Sequence, residues 1–482
     1  MVAWEAVIGI ETHVELQTKS KMFCGCAVSF GDAPNTNTCP VCLALPGAIP
    51  VPNKEAIEGI VKIGTALDST INKDSLFYRK NYFYPDLPKN YQISQYTFPV
   101  CEFGKLEIQV DGEPFTVGIT RVHMEEDTGK SRHVGEGGRI HEASHSLLDF
   151  NRSGVPLVEI VTEPDIRTAE QARAYGAEIQ RIVRTLGVSD ARLEEGSMRF
   201  DANVSVRRGP DAELGTRTET KNVNSLRSLQ RAIEFEIDRQ IKVLEDGGSI
   251  IQETRHWNED KGVTISMRIK EESEDYRYFQ EPDMLPLEID EQWQARVKAG
   301  QPELPAETRM RLVELGTDLH TAELLADDPS LRTLFDRAVN EGADGKQTGI
   351  WLTQEVVAYL RREEKSLGGT SLSSAHLVEL AAMVSAGDLS STAAKEVLIG
   401  VLSGEGTPRA IAEARDLIQI SDTGFLETEL DSVIADNADA FAKLLHGDSK
   451  MIGFFVGQIM RRTGGKADPR MVSEMVRNRA NG

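Results

Sequence analysis

In the stretch "GIETHVEL" the acidic and imidazole side chains fall at every second position, Glu11, His13 and Glu15. Side chains of an extended strand alternate between faces, so this spacing predicts three polar groups on one face, with Ile10, Val14 and Leu16 toward the other. Two more stretches behave alike. Glu159 and Glu163 share a face in "PLVEIVTEP", and Arg199, Asp201, Asn203 and Ser205 share one in "MRFDANVSV". Any one of these faces is explained by the solvated side of an antiparallel sheet. Three of them, each flanked by tightly apolar residues, predict a polar cavity for a hard cation. "RVHMEEDTGKSRH" adds Glu125, Glu126 and Asp127 in succession. Carboxylates with an imidazole are the kind of ligands magnesium takes, usually together with substrate phosphates.

A second constellation is built from sulfur. Four of the five cysteines lie within "CGCAVSFGDAPNTNTCPVC", where Cys24 and Cys26 are separated by twelve residues from Cys39 and Cys42. Paired short spacings across a loop allow four thiolates to reach one tetrahedral zinc, and four sulfurs leave it no open position for water, so the expected role is structural. The C-x-C spacing is tighter than usual, and four unligated thiols remain the competing reading. Redox catalysis fits less well, because no thioredoxin-like unit surrounds Cys39 and Cys42. Cys101 reads as a lone buried thiol.

Other motifs are weaker. "TGKS" suggests a phosphate-binding loop, but that pattern requires glycine where Met124 stands. Phosphates must then be held by metal and scattered cations, and "FYRKNYFYPDLPKNYQISQY" offers Arg79, Lys80 and Lys89 among five tyrosines, unless it is a packed surface loop. His133, His141 and His145 occupy a Gly-rich stretch whose composition suits a solvated loop better than a metal site. His256, His320, His376 and His446 have no ligand-spaced partners.

The elements that must position these groups follow from the patterning. Up to about residue 292, β-rich runs such as "KLEIQV", "FTVGITRV", "PLVEIVTE" and "RFDANVSVRR" alternate with helical stretches at 168–186 and 225–246. That is an α+β domain on a largely antiparallel sheet. Residues 293–404 read as helices broken at "DDPS", "GADGK" and "LGGTSLSS", and residues 405–482 as a third, small helical tail domain opening at "SGEGTPRAIAEARDL".

A chain of 482 residues is long enough for several domains, and its net charge of −22 speaks against uniform nucleic-acid binding while allowing a local basic patch. No run approaches the apolar length needed to cross a bilayer and the first residues lack a signal-peptide pattern, so the expected setting is cytoplasmic without a membrane partner. An odd cysteine count fits metal ligation better than a disulfide framework.

With these stretches in view, the chain resembles the B-subunit family of the bacterial tRNA-dependent amidotransferases. The resemblance rests on "VIGIETHVEL", "SKMF" with the cysteine loop, "LPGAIPVPNKEAI", "RKNYFYPDLPKNYQISQY", "RVHMEEDTGKS", "DFNRSGVPLVEIVTEPD", "EEGSMRFDANVSVR", "TETKNVNSL", "GGSIIQETRHW" and "RIKEESEDYRYFQEPDMLPL", in order over residues 4 to 288. It implies a glutamine-synthetase-like catalytic domain that uses ATP and magnesium to phosphorylate the side-chain carboxylate of a Glu or Asp misacylated onto tRNA. Ammonia then displaces phosphate. It implies as partners a glutaminase A subunit, a small C subunit completing a heterotrimer, and the misacylated tRNA itself. A tRNA-binding scaffold that kept the fold and lost the chemistry would show an eroded carboxylate set, whereas the motif acids are all present. The archaeal paralogue specific for Glu would need a large inserted domain, for which there is no room.

Carried over by motif, the resemblance implies that Glu11, His13, Glu126 and Glu159 are magnesium ligands or their immediate neighbours at the ATP site, with Asp201 a further candidate. Strand register decides between Glu125 and Glu126, and the family pattern favours the second. Lys80 is implied as a tunnel-side cation that Glu126 pairs with to gate ammonia. Cys24, Cys26, Cys39 and Cys42 match a zinc-bearing form of a loop that other members build without cysteine. The tail from residue 459, with six Lys or Arg against two acidic residues, a net of +4, is implied to contact the tRNA elbow. The segment 133–147 is longer and richer in Gly and His than the family pattern.

Overall fold

Along Trp4–Glu15 the computed structural model alternates as the sequence predicts: Ile8, Ile10, Thr12 and Val14 are fully buried, while Glu11, His13 and Glu15 face the other way at partly buried positions. The structure describes residues 3–481 except 135–143, 270–275, 420–422 and 465. His141 and most of the Gly/His-rich loop lie outside the described residues. The chain divides into two units, Met1–Leu304 and Pro305–Gly482.

Trp4–Glu15 sits in the middle of a twelve-stranded sheet. On one side it pairs with Met198–Arg208, followed by Thr218–Val223, Glu253–Asn258 and Val263–Ile269. On the other come Pro156–Thr162, Glu113–Glu126, Tyr91–Ser94 and Tyr78–Asn81. These contacts are antiparallel except that of Thr218–Val223 with Glu253–Asn258, where the helix Leu226–Glu245 returns the chain in the original direction. Helices Lys54–Ala66, Ala169–Thr185 and Leu226–Glu245 cover one face, burying Ile60, Ile179 and Ile233 together with the strand residues Ile10, Val158 and Phe200. Each helix begins at a side-chain cap, Asn53, Thr168 and Ser225, with Gln171 completing a capping box at the second. Gly176 lets two of them meet closely: a Cβ there would lie 2.9 Å from Leu226 Cδ2 and 3.0 Å from Phe200 Cζ. The opposite face of the sheet is the polar one.

Among its described residues the second unit is helical, with one hydrophobic cluster around Phe335, Trp351, Leu380 and Val397 and another around Leu430, Phe455 and Val476. Helix Ser391–Ser403 ends at Gly404, whose φ of 82° is the left-handed cap glycine tolerates. The next helix, Pro408–Ala414, returns Ile411 and Ala412 to the first cluster, so the Gly-rich turn joins two helices of one core. This mixed first unit with a large, mostly antiparallel sheet, followed by helices, is the coarse class the patterning predicts. Among the described residues no helix is long and apolar enough to cross a membrane.

Candidate active site

Antiparallel register places the polar residues of four strands side by side. Glu11 stands opposite Asp201 on one neighbouring strand, and His13 stands between Arg199 and Glu159. Glu159 in turn lies opposite His123. Because all share one parity, the helix-covered face receives the apolar partners and the open face receives the titratable ones. Glu163 does not join them. A register shift after Val161 ends the strand at Thr162, and Glu163 instead accepts a hydrogen bond of 2.8 Å from Thr120 Oγ1.

At the centre, donor atoms of His13, Glu125 and Glu159 lie within 4.8 Å of one another. His13 Nε2 is 3.5 Å from Glu159 Oε2, and His123 Nε2 lies 3.4 Å from the same oxygen and 3.6 Å from Glu125 Oε1. Ser94 Oγ and Gln92 Nε2 donate to Glu125 at 2.9 and 3.1 Å. Burial works to raise the Glu125 pKa, but Lys80, reinforced by His123, holds it down at about 2. Burial likewise opposes ionisation of Glu159, yet the two imidazoles keep it well below the usual carboxylate range. Lys80 mirrors this: burial disfavours its charge, and Glu125 foremost, then Tyr278 and Glu159, keep it protonated well above the ordinary lysine range. Its ammonium lies 5.2 Å from the Tyr276 ring centre. Among the described residues it has no carboxylate within ion-pair distance.

A second group, Glu11, Asp201 and Glu219, also gathers its oxygens within 4.8 Å. Asn203 Nδ2 donates to Glu11 at 3.0 Å, and Lys221 bridges Asp201 and Glu219 at 2.9 and 3.2 Å. Burial first, then the charges of Glu159, Asp201 and Glu219, push the Glu11 pKa up. A cavity of about 420 Å³ opens over both groups, with Lys80 and Arg121 in its wall, and one of about 490 Å³ adjoins it through Glu11, Arg217 and Gln252. Two buried polar atoms here, His13 Nδ1 and Asn203 Oδ1, have no hydrogen-bond partner among the described residues.

A third polar group is satisfied internally. Asp127 accepts from Arg199 at 3.2 Å with Arg152 at 3.7 Å, and burial followed by Asp127 pushes the Glu15 carboxyl up to about 8.

Of the residues singled out in the sequence, Glu11, His13, Lys80, Glu159 and Asp201 thus reach one face. Glu126 does not. Its parity turns it to the opposite side, where it accepts from the Ile93 backbone at 2.8 Å and pairs with Lys89. Glu125, one residue earlier, takes the position among the imidazoles, and the ion-pair partner of Glu126 is Lys89 rather than Lys80. Sequence reading passed over His123, Glu219 and Lys221. The signal was available, since "RVHMEE" and "TETKNV" carry the same every-second-residue spacing.

The four cysteines converge as well, their sulfurs within 4.8 Å of one another. The loop is anchored to residues 148–151 by Asn35 and Asn37, whose amides donate to Asp149 Oδ1 at 3.0 Å and Asn151 Oδ1 at 2.8 Å. Cys42 is buried and accepts from its own loop, from Cys39 N–H at 3.2 Å. The Cys24 hydrogen bond is the largest cause that brings the Cys42 thiol down to about 5, while burial leads in pushing Cys26 up to about 11. A cavity of only about 20 Å³ separates Cys42 from Glu126 and Lys89.

Comparison with known proteins extends along nearly the whole chain. Residues 6–295 match the GatB/GatE catalytic domain and residues 333–479 the GatB domain. The aspartyl/glutamyl-tRNA(Asn/Gln) amidotransferase B chain of Synechocystis is 48% identical over 98% of this chain and 97% of its own length. The corresponding proteins of Streptomyces coelicolor and Frankia casuarinae are 47% and 48% identical, each over 99% of this chain and 96% of the relative.

Proposed function

This chain belongs to the GatB family, the B subunits of aspartyl/glutamyl-tRNA(Asn/Gln) amidotransferases, and from that premise we propose that its open sheet face activates a side-chain carboxylate carried on tRNA. The chain is a subunit of a glutamine-dependent carbon–nitrogen ligase acting on aminoacyl-tRNA. A carboxylate cannot lose oxide directly. An oxygen of the Glu or Asp side chain therefore attacks the γ-phosphorus of ATP, ADP leaves, and an acyl phosphate results. Ammonia then attacks the acyl carbon, phosphate departs with the original oxygen, and a proton is released as the amide forms.

What carries this reading is the convergence of His13, Glu125 and Glu159 beneath a cavity of about 420 Å³ that also presents Lys80. Phosphoryl transfer asks the protein chiefly for positioning and charge neutralisation. Magnesium, when bound, would supply that neutralisation. The donor set fits it, being oxygen-rich with one imidazole, and His13 Nδ1 and Asn203 Oδ1, which have no hydrogen-bond partner among the described residues, support a wall that a ligand completes. His13, Glu125 and Glu159 would hold one ion, and Glu11, Asp201 and Glu219 a second. His123, whose Nε2 stands 3.4 Å from Glu159 and 3.6 Å from Glu125, positions these two carboxylates by its charge, while Lys80 supplies a cation for developing phosphate charge. The adjoining cavity, with Arg217 at the junction, is the proposed seat of the nucleotide.

Zinc on the four cysteines supports the fold beside this site. The sulfur set is closed and soft, which suits zinc and leaves no place for substrate. Ammonia comes from a glutaminase A subunit held with a C subunit in one heterotrimer, and Lys89, the ion-pair partner of Glu126 in place of Lys80, makes that pair the proposed gate. The catalytic part is glutamine-synthetase-like, and the tail helices from Thr423 on face the tRNA. The complex reconstituted with its partner subunits converts Glu-tRNA(Gln) to Gln-tRNA(Gln) with ATP and glutamine. Undiminished conversion by a Glu159→Ala complex would overturn the site.

A further inference from the structure

Lys21 is among the largest fully buried side chains of the protein, 0% exposed, and the proposed chemistry gives it no task. Its ammonium has three protons and three acceptors: Asn37 O at 2.7 Å, Phe150 O at 3.2 Å and Cys42 Sγ at 3.7 Å. Two are neutral carbonyls. No carboxylate pairs with it among the described residues, and the acid in the wall of the adjacent small cavity, Glu126, is engaged by Lys89 and the Ile93 amide. A buried ammonium without a negative partner is strongly disfavoured. Among the described residues, the hydrogen-bonded acceptor of Lys21 that can carry that charge is the Cys42 sulfur.

We infer that Lys21 is the counter-charge of the four-cysteine centre: its ammonium neutralises part of the negative charge that four thiolates place around a divalent ion, and so sets how tightly the loop keeps that ion. This rests on the zinc reading above. Four thiolates about a dication leave a net charge of −2, and a hydrogen-bonded cation beside the buried Cys42 sulfur stabilises that state. Cys42 receives two such donors, Lys21 Nζ and the Cys39 amide. The same ammonium ties the loop, through Asn37 O, to Phe150 O in the segment that leads to Gly154, whose carbonyl accepts the Met22 amide at 2.7 Å. Metal retention and the seating of the loop against the sheet are therefore joined at one side chain.

The full chain in complex with its partner subunits is loaded with zinc, and transfer of the metal to a chromophoric chelator is timed. Lys21→Met is expected to release it about 10–100-fold faster, and Lys21→Arg to stay close to the parent. Cobalt loading should give the same sulfur-to-metal charge-transfer bands in all three, showing that the four ligands are unchanged. A parent protein that takes up neither zinc nor cobalt would overturn the zinc reading itself. Uptake by the parent with equal release from folded Lys21→Met would overturn the role of Lys21 alone. Should Lys21→Met not fold, the parent decides by amine acylation and peptide mass spectrometry. With thiols reduced and metal removed, Lys21 becomes labelled while carboxylate-paired Lys89 stays protected. Equal protection of Lys21 with and without metal would overturn the inference.

Discussion

The His13, Glu125, Glu159 group and the four-cysteine loop both bring their donor atoms within 4.8 Å of one another, and both lie in the same unit. They differ in what surrounds the donors. The oxygen-rich group is assembled from three strands far apart in sequence, opens on a cavity of about 420 Å³, and leaves His13 Nδ1 without a hydrogen-bond partner among the described residues. The sulfur group is assembled from one short loop, adjoins a cavity of about 20 Å³, and has its Cys42 sulfur hydrogen-bonded by its own loop and by Lys21. Satisfied donors hold structure together, whereas donors left open on a rigid frame await a ligand. This difference supports the proposed division, with chemistry on the sheet face and structural support from the loop.

The largest expected contrast comes from one substitution in each region. Glu159→Ala should lower ATP-dependent amidation at saturating substrates by at least about 100-fold, a loss beyond that typical of a supporting residue, with zinc content unchanged. Cys39→Ser should lose the zinc and lower the melting temperature by several degrees or more, because metal binding free energy is also folding free energy. Its turnover at saturating ATP should stay near the parent value. Melting is read by calorimetry and metal by elemental analysis. A folded Cys39→Ser complex without turnover would break the contrast.

A finer test separates two adjacent acids. Glu125→Gln should raise the magnesium needed for half-maximal activity by about 10-fold or more, since that side chain lies with His123 and Glu159. Glu126→Gln should leave the magnesium requirement alone and change the ratio of glutamine-driven to ammonium-driven amidation, because it removes the partner of Lys89. The reverse outcome would return the metal to Glu126.

These two acids also show how much of the site sequence can reveal. Alternation in "GIETHVEL" and "MRFDANVSV" identified the face shared by Glu11, His13 and Asp201, because side-chain parity is a local property of a strand. It could not choose between Glu125 and Glu126. That choice depends on which strand lies opposite: pairing of Leu157 with Glu125 and of Glu159 with His123 fixes it, and register is a property of two chain segments. The register shift at Val161 likewise removed Glu163 from a face its spacing suggested. Lys21 carried no signal at all, since the lysine of "SKMF" shows its role only when Phe150, more than a hundred residues later, folds over it. The cysteine loop was the most legible feature because its geometry is local.

The third polar group tests the same principle through pH. Glu15 is raised from 4.5 to about 8 by burial and by Asp127. A carboxyl whose folded pKa is raised contributes stability that is complete below its unfolded pKa and is lost as pH rises through the folded value. Relative to the parent, Glu15→Gln should therefore gain melting temperature progressively between about pH 4.5 and 8 and hold a constant advantage above that range. A constant difference across the whole range would show that Arg152 and Arg199 already compensate the charge.

The smallest effect is expected in the tail, where the same distinction divides six cations. Arg462 pairs with Glu429 and Asp436, Lys466 with Asp416, and Arg479 with Asp431. Arg461, Arg470 and Arg477 are exposed and, among the described residues, make no ion pair. Paired cations have spent their charge on neighbouring helices, so if the tail meets tRNA as proposed, phosphate contact would fall to the other three. Each phosphate contact adds about 0.7–0.9 to the slope of log affinity against log salt. Replacing Arg461, Arg470 and Arg477 together by Ala should thus flatten the salt dependence of tRNA binding by roughly 2 to 3 in that slope, as read by filter binding across a salt series. Arg479→Ala should leave the slope unchanged and cost about 0–1 kcal/mol of stability, as expected of an exposed ion pair. If Arg479→Ala flattened the slope as much as the triple variant, charge pairing would not separate binding residues from structural ones.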